Sequence, residues 1–281
     1  RSTLFPYTTL FRSLFMSAAT LGTARGPVKR MSFQSSLPRI ARIAAGAGLA
    51  LTVLGALTLA LAAIGSRWDW WDFRTGFVLF RAALFGGLVA IVVTLTGLVL
   101  ALLARAGRAA LLSLGTLALL AAVAVVPVTH LRGAGRVPPI HDITTDLDDP
   151  PRFVAVLPRR RRAPNAAEHG GAALAAQQRA GYPDLAPARF TTPPDRVFAR
   201  AVEVARGLGW EIVAAVPAEG RLEATDRTRW FGFRDDVVVR VRPDGAGTRV
   251  DVRSVSRVGR SDLGTNARRI RGFLDALRAS S

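Results

Sequence analysis

The 281 residues contain no cysteine, which excludes a disulfide framework, a thiolate metal site and a cysteine nucleophile. Lysine is almost missing as well. Of 38 basic residues only Lys29 is not arginine, a bias expected of a GC-rich genome, so the net charge of +18 says less about nucleic acid than its size suggests. Aromatic platforms and a recognisable reading helix are also lacking, and no nucleic-acid partner is expected. No HExxH, GxSxG, Walker loop or dinucleotide fingerprint occurs. His130 and His169 have no partners at motif spacing, and no cofactor is implied.

Charge is absent from two stretches long enough to cross about 30 Å of hydrocarbon. These are Ala44–Ser66 and Ala82–Ala104, each 23 residues without a charge. A third apolar run, Ala109–Thr129, follows Arg108, and Pro127 is placed to break its helix. Three such runs, nearly contiguous, predict three transmembrane helices rather than buried helices of a soluble core. The short Arg105–Arg108 connection makes the second and third a tight hairpin. The first connection, SRWDWWDFRTGF, carries Trp68, Trp70, Trp71 and Phe73 as an interfacial aromatic belt. Glycines such as Gly48 and Gly97 permit close helix approach. No ionisable residue lies inside a span, which argues against a proton relay through the helices.

The N-terminus has its own character. Thr3–Ser13, TLFPYTTLFRS, resembles a translated sequencing adapter and is set aside, making residues 1–30 an expected artefact and leader with Met16 or Met31 as the start. The membrane section is then 31–132, a Gly/Pro linker covers 133–139, and a polar domain covers 140–281. Arginine counts on the two sides of the spans are nearly balanced. The purely basic second loop (Arg105, Arg108) against a first loop that also holds Asp69 and Asp72 favours a cytoplasmic N-terminus. That places the polar domain on the periplasmic or extracytoplasmic side of a bacterial inner membrane.

Gly133–Ser281 holds 25 Arg against 18 Asp/Glu, spread rather than grouped. Thr192 can cap a helix with Pro193 and Pro194 in its first turn, and Gly209 stops it. A second helix, capped by Ser261 or Asp262, buries Leu263, Ala267, Ile270, Leu274 and Leu277. Between them, Trp210–Val216, Arg221–Asp226, Asp236–Arg242 and Arg249–Arg257 alternate as strands, the last two joined by the turn PDGAG. The fold class expected is an α-helical membrane section followed by an α+β domain, with an antiparallel sheet of about four strands and helices on one face.

The segments PPIHDITTDLDDPPRF and RSVSRVGRSDLGTNARRIRGFL (Arg253–Leu274) resemble the domain-of-unknown-function-1499 family, over roughly Pro138–Leu277. In bacteria, membrane spans before such a domain are a familiar arrangement. The resemblance implies no activity and no catalytic roles.

The sharpest candidate site is the turn before the last helix. Arg253, Arg257 and Arg260, with Ser261 and Asn266, surround a helix N-terminus suited to a phosphate, sulfate or lipid headgroup. Against this, Asp262 can cap the helix and occupy that position, leaving the arginines to pair with Asp235, Asp236 or Asp251. His141 with Asp146, Asp148 and Asp149 is a weak candidate for a hard divalent ion, although DDPP reads more simply as turn chemistry. The expected role is non-enzymatic: binding a lipid, an anionic small molecule or an envelope protein at the bilayer. This reading expects an uncovered apolar groove on the sheet face that the helices leave free. The alternative, a membrane-anchored hydrolase or transferase, needs a pocket joining His141 and Asp146–Asp149 to Arg257 or Arg260. Trp230, Phe231 and Phe233 can either fill the core or touch the membrane surface.

Overall fold

The computed structural model describes residues 33–134 and 137–280; the adapter-like stretch, Met16 and Met31 lie outside the described residues. Three long helices come first: α1 (Phe33–Arg67), α2 (Phe73–Leu103) and α3 (Gly107–Ala134). Each contains a segment long and apolar enough to cross a bilayer: Ser36–Arg67, Phe73–Leu103 and Gly107–Val125. Pro127 does not end its helix, since α3 continues through it to Ala134. Proline removes one backbone donor, and Pro127 lies two residues beyond the apolar segment that ends at Val125.

The described residues divide into two compact units, 33–51 with 89–118, and 52–88 with 119–134 and 137–280. In the first, Ala41, Ala45, Ala101 and Ala109 form a buried small-residue core. A side chain at Gly97 would meet the Ala45 backbone nitrogen at 3.0 Å, so hydrogen is what lets these backbones approach. Thr94 returns its hydroxyl to the Ala90 carbonyl (2.6 Å), whereas the buried Ser113 hydroxyl has no hydrogen-bond partner among the described residues.

The second unit contains the C-terminal domain. It is an antiparallel sheet of six strands: β1 (Asp142–Thr144), β2 (Ala188–Phe190), β3 (Glu211–Val216), β4 (Arg221–Arg227), β5 (Arg234–Asp244) and β6 (Gly247–Ser256). The order is β1-β6-β5-β4-β3, with β2 pairing beside β1 on the same edge of β6. Two strands thus exceed the four expected. Both are three-residue edge strands, too short for a period-2 pattern to register. The β5–β6 hairpin closes at Asp244↔Gly247, with Gly245 at φ +59°.

Three further helices, α4 (Gly171–Gly181), α5 (Pro194–Gly207) and α6 (Thr265–Ala279), complete the domain. The last two pack on one sheet face, where Val197, Ala201 and Ala205 of α5 and Ile270, Phe273 and Leu277 of α6 meet Leu222, Val237, Val239, Val250 and Val252. Trp210 stacks on Phe273 at 5.1 Å between centroids.

The opposite face is not free. The segment 145–167 lies over it, placing Phe153 and Val156 on Val238 and Val255. The expected uncovered apolar groove on the sheet is absent among the described residues. The reason is chemical: strand positions facing that side include Glu223, Asp236, Arg240, Asp251 and Arg253, and charges buried there require polar partners that only another layer can bring.

Candidate functional site

The two motif segments meet because β1 pairs with the end of β6, setting Asp142 opposite Val255 and Thr144 opposite Arg253. Arg253 is 2 % exposed and grips Asp142 through two nitrogens, at 2.9 and 2.7 Å. It also donates to the carbonyls of Pro151 and Ala167 and lies 5.2 Å from the Phe153 ring centroid. Every direction of its guanidinium is therefore used by the covering segment or by Asp142.

Next along the face, Asp236 accepts from Arg160 (2.6 Å), from Arg257 (2.9 and 2.8 Å) and from the Thr225 hydroxyl (2.7 Å). Burial opposes its ionisation, but the bonds from Arg257, Thr225 and Arg160 outweigh burial and hold the carboxyl below the usual range. Buried Glu223 receives the backbone N–H groups of Val154 and Ala155 (3.0 Å each) and Val156 (2.9 Å), and it pairs with Arg221. Asp146 takes the N–H of Asp148 and Asp149 on one oxygen, and Arg240, Arg242 and Arg249 on the other. Asp251 is shared by the same three arginines.

The anion candidates are therefore split. Arg253 and Arg257 face the covered side, each bound to its own aspartate. Asn266 lies on the helix side in a buried network: Ser254 donates to it at 2.7 Å, Arg269 at 2.5 Å, and it donates to Ser256 and to the His141 carbonyl. The Ser261 hydroxyl accepts the Leu263 N–H, and the Arg260 side chain is exposed. Asp262 receives the N–H groups of Gly264 (2.9 Å) and Asn266 (2.6 Å) at the start of α6, where burial pushes its carboxyl upward.

The proposed metal ligands separate too. His141 faces the Arg260 carbonyl at 3.4 Å, while Asp146 and Asp149 are held by Arg240. Among the described residues no group of three or more His, Cys, Asp or Glu is placed to hold a metal ion. His141 thus sits beside the Arg260 backbone, whereas Asp146 and Asp149 pair with Arg240 and Arg257 pairs with Asp236.

Sequence reasoning missed the role of Arg269, which closes the helix side through Asp226 and Asp235, both at 2.7 Å. It also missed Arg160, Glu223 and Arg240. A usable signal existed: strands β4 and β5 carry charge on both parities, which marks a sheet buried on both sides around ion pairs.

The aromatic loop between β4 and β5 resolves differently from either simple expectation. Phe231 and Phe233 stack on each other (5.4 Å) and on Phe77 of α2 (5.9 and 5.7 Å), and Phe80 meets Phe231 edge-on at 5.9 Å. Arg67, the last residue of α1, donates to the carbonyls of Thr228 and Arg229. Gly232, at φ +65°, lets the loop pass where a Cβ would lie 2.8 Å from the Arg67 Cα.

A family model described as a protein of unknown function (DUF1499) matches residues 142–277, from the first residue of β1 to the last turn of α6. The C-terminal domain belongs to the DUF1499 family. The second segment falls inside this match and the first does from Asp142 onward, and β1 and β6 bring the two together. No curated protein matches the chain. In this DUF1499 domain most polar residues of the two motifs hold the layers together, while Asp148 lines a smaller surface pocket with His169 and Arg179. A larger open surface is a groove of about 720 Å³ between α5 and the β3–β4 turn. Buried Phe198, Val202 and Val241 form its base, and exposed Asp195, Glu203, Arg206 and Glu219 also line it.

Proposed function

We propose that this membrane protein is a non-enzymatic binding module, whose DUF1499 domain presents an envelope lipid, small molecule or protein partner with the α5 groove. The observation that carries this reading is the groove itself. Its volume lies within the range of ligand sites, its base is apolar, and charges at its rim could orient a polar end. The lining has no imidazole, hydroxyl or thiol, and its carboxylates, Asp195, Glu203 and Glu219, are exposed to water.

The reading includes an orientation. The basic α2–α3 connection is cytoplasmic and the DUF1499 domain lies outside a bacterial inner membrane. A reporter fused at Ser281 tests the side. Native mass spectrometry of the detergent-extracted full chain tests the binding. A co-purifying species is expected on the wild type and lost from Ala215→Trp, which fills the groove with an indole. A species retained equally by both proteins, or none on either, contradicts the reading.

A further inference from the structure

The loop 228–233 is fixed at the level where the helical spans leave the apolar phase. The α1 span ends at Arg67 and the uncharged run of α2 begins at Ala82. Phe80 lies two residues before that run and Phe77 five, about 7.5 Å along a helix. The phenylalanines that receive the loop therefore stand in the headgroup layer or at its inner edge. Phe231 and Phe233 are committed to them, as the stacking distances show.

Trp230 is not committed. It is 48 % exposed at the tip of the loop, and Trp68 and Trp70 in the α1–α2 connection are 63 % and 56 % exposed. Three indoles left open at one level are costly in water, yet they are what the interface between water and acyl chains favours. The surrounding charge fits the same surface: Arg74, Arg227 and Arg229 are exposed, and such arginines are attracted to anionic headgroups. Asp69 and Asp72 are nearby acids, the first paired with Arg234 (2.6 Å) and Arg227 (3.6 Å), and they trim the positive charge without cancelling it.

We propose that the β4–β5 loop of the DUF1499 domain is itself a membrane-interfacial element. Trp230 inserts at the headgroup–acyl boundary of the leaflet that holds the α1–α2 connection. The partner is a lipid surface, recognised by indole amphipathicity and arginine charge. Span count agrees: with three spans, the connection after the first and the chain after the third emerge on the same side. The proposal does not depend on what the α5 groove binds.

The full chain reconstituted in phosphatidylethanolamine/phosphatidylglycerol vesicles gives the test. Because the protein has no cysteine, Trp230→Cys can carry a single nitroxide, with Ala218→Cys as an aqueous control at the far end of β4. The oxygen-to-nickel-chelate accessibility ratio is expected to be severalfold higher at position 230 than at 218. Equal ratios would overturn the proposal. A second measurement leaves the indole in place. Emission lost on Trp230→Phe, taken as a difference between the two proteins, should be quenched severalfold in vesicles of 6,7-dibrominated phosphatidylcholine. Difference emission that is indifferent to bromine would overturn the proposal as well.

Discussion

Arg67 at the end of the first span's helix and Thr228 at the end of β4 are 161 residues apart in sequence, and one guanidinium nitrogen of Arg67 lies 3.1 Å from the Thr228 carbonyl. The same nitrogen reaches the Arg229 carbonyl at 2.9 Å. A membrane helix thus satisfies backbone acceptors of a loop that belongs to the DUF1499 domain. Hydrogen bonds from a charged donor contribute about 1.5–3 kcal/mol. Arg67→Ala should therefore raise amide exchange across residues 228–233 about ten- to a hundredfold, leaving the β5–β6 hairpin unchanged. Exchange that rises equally throughout the domain would mean that Arg67 serves global folding instead.

Glu223 anchors the covering segment by taking three consecutive N–H groups while fully buried. Glu223→Ala leaves those donors without their acceptor and Arg221 with Glu219 alone, and should cost about 3–5 kcal/mol in a denaturant titration of the full chain. Glu223→Gln keeps one carbonyl oxygen and should lie between the two.

Asp236 links the fold to acid pH. Its carboxyl titrates below its ordinary value, so the stability it contributes is complete above the unfolded value of about 3.9 and is lost as pH falls through the lower folded value. Thermal unfolding should show this acid loss in the wild type. Asp236→Asn should be less stable at pH 7 and should lack that part of the acid slope.

Much of this domain was legible in the sequence, and the exceptions have physical causes. The long strands β4, β5 and β6 and helices α5 and α6 carry periodic apolar faces that become the core. Both edge strands are set by pairing to β6 rather than by their own pattern, so nothing in DIT or ARF announces them. The arginines of the second motif read as a converging anion site because they are close in sequence. Strand alternation instead sends Arg253 and Arg257 to the covered face, while Asn266 enters from the helix side. Their partners, Asp142 and Arg160, come from distant segments, and pairing across such distance is invisible to spacing arguments.

Tyr182 provides an alkaline counterpart to Asp236. Burial pushes its phenol up to about 12, with the nearby Asp262 adding to the effect, and its hydroxyl has no hydrogen-bond partner among the described residues. Stability tied to the neutral phenol is complete below the unfolded value of about 10 and is lost as pH rises toward the folded value. Tyr182→Phe should match or exceed the wild type at pH 7 and should show a shallower decline above pH 10 in the same thermal assay.

Asp262 is expected to act as a cap in the measured energetics. Asp262→Ala frees the N–H groups of Gly264 and Asn266 and should cost about 0.5–2 kcal/mol, whereas Asp262→Asn should recover most of it. Added phosphate should not rescue Asp262→Ala. Rescue would instead revive an anion site at the start of α6.

The central claim is that the β4–β5 loop of the DUF1499 domain is seated on the end of α1 and the start of α2, and a thiol cross-link tests it most directly. Phe77 and Phe231 stack with centroids 5.9 Å apart, and the chain contributes no competing thiol. In Phe77→Cys/Phe231→Cys, treated in intact membranes with a short bismaleimide, the two positions should cross-link in most molecules, while Phe77→Cys/Ala218→Cys should not. Failure of the first pair to cross-link, or equal yields from both, would contradict the account.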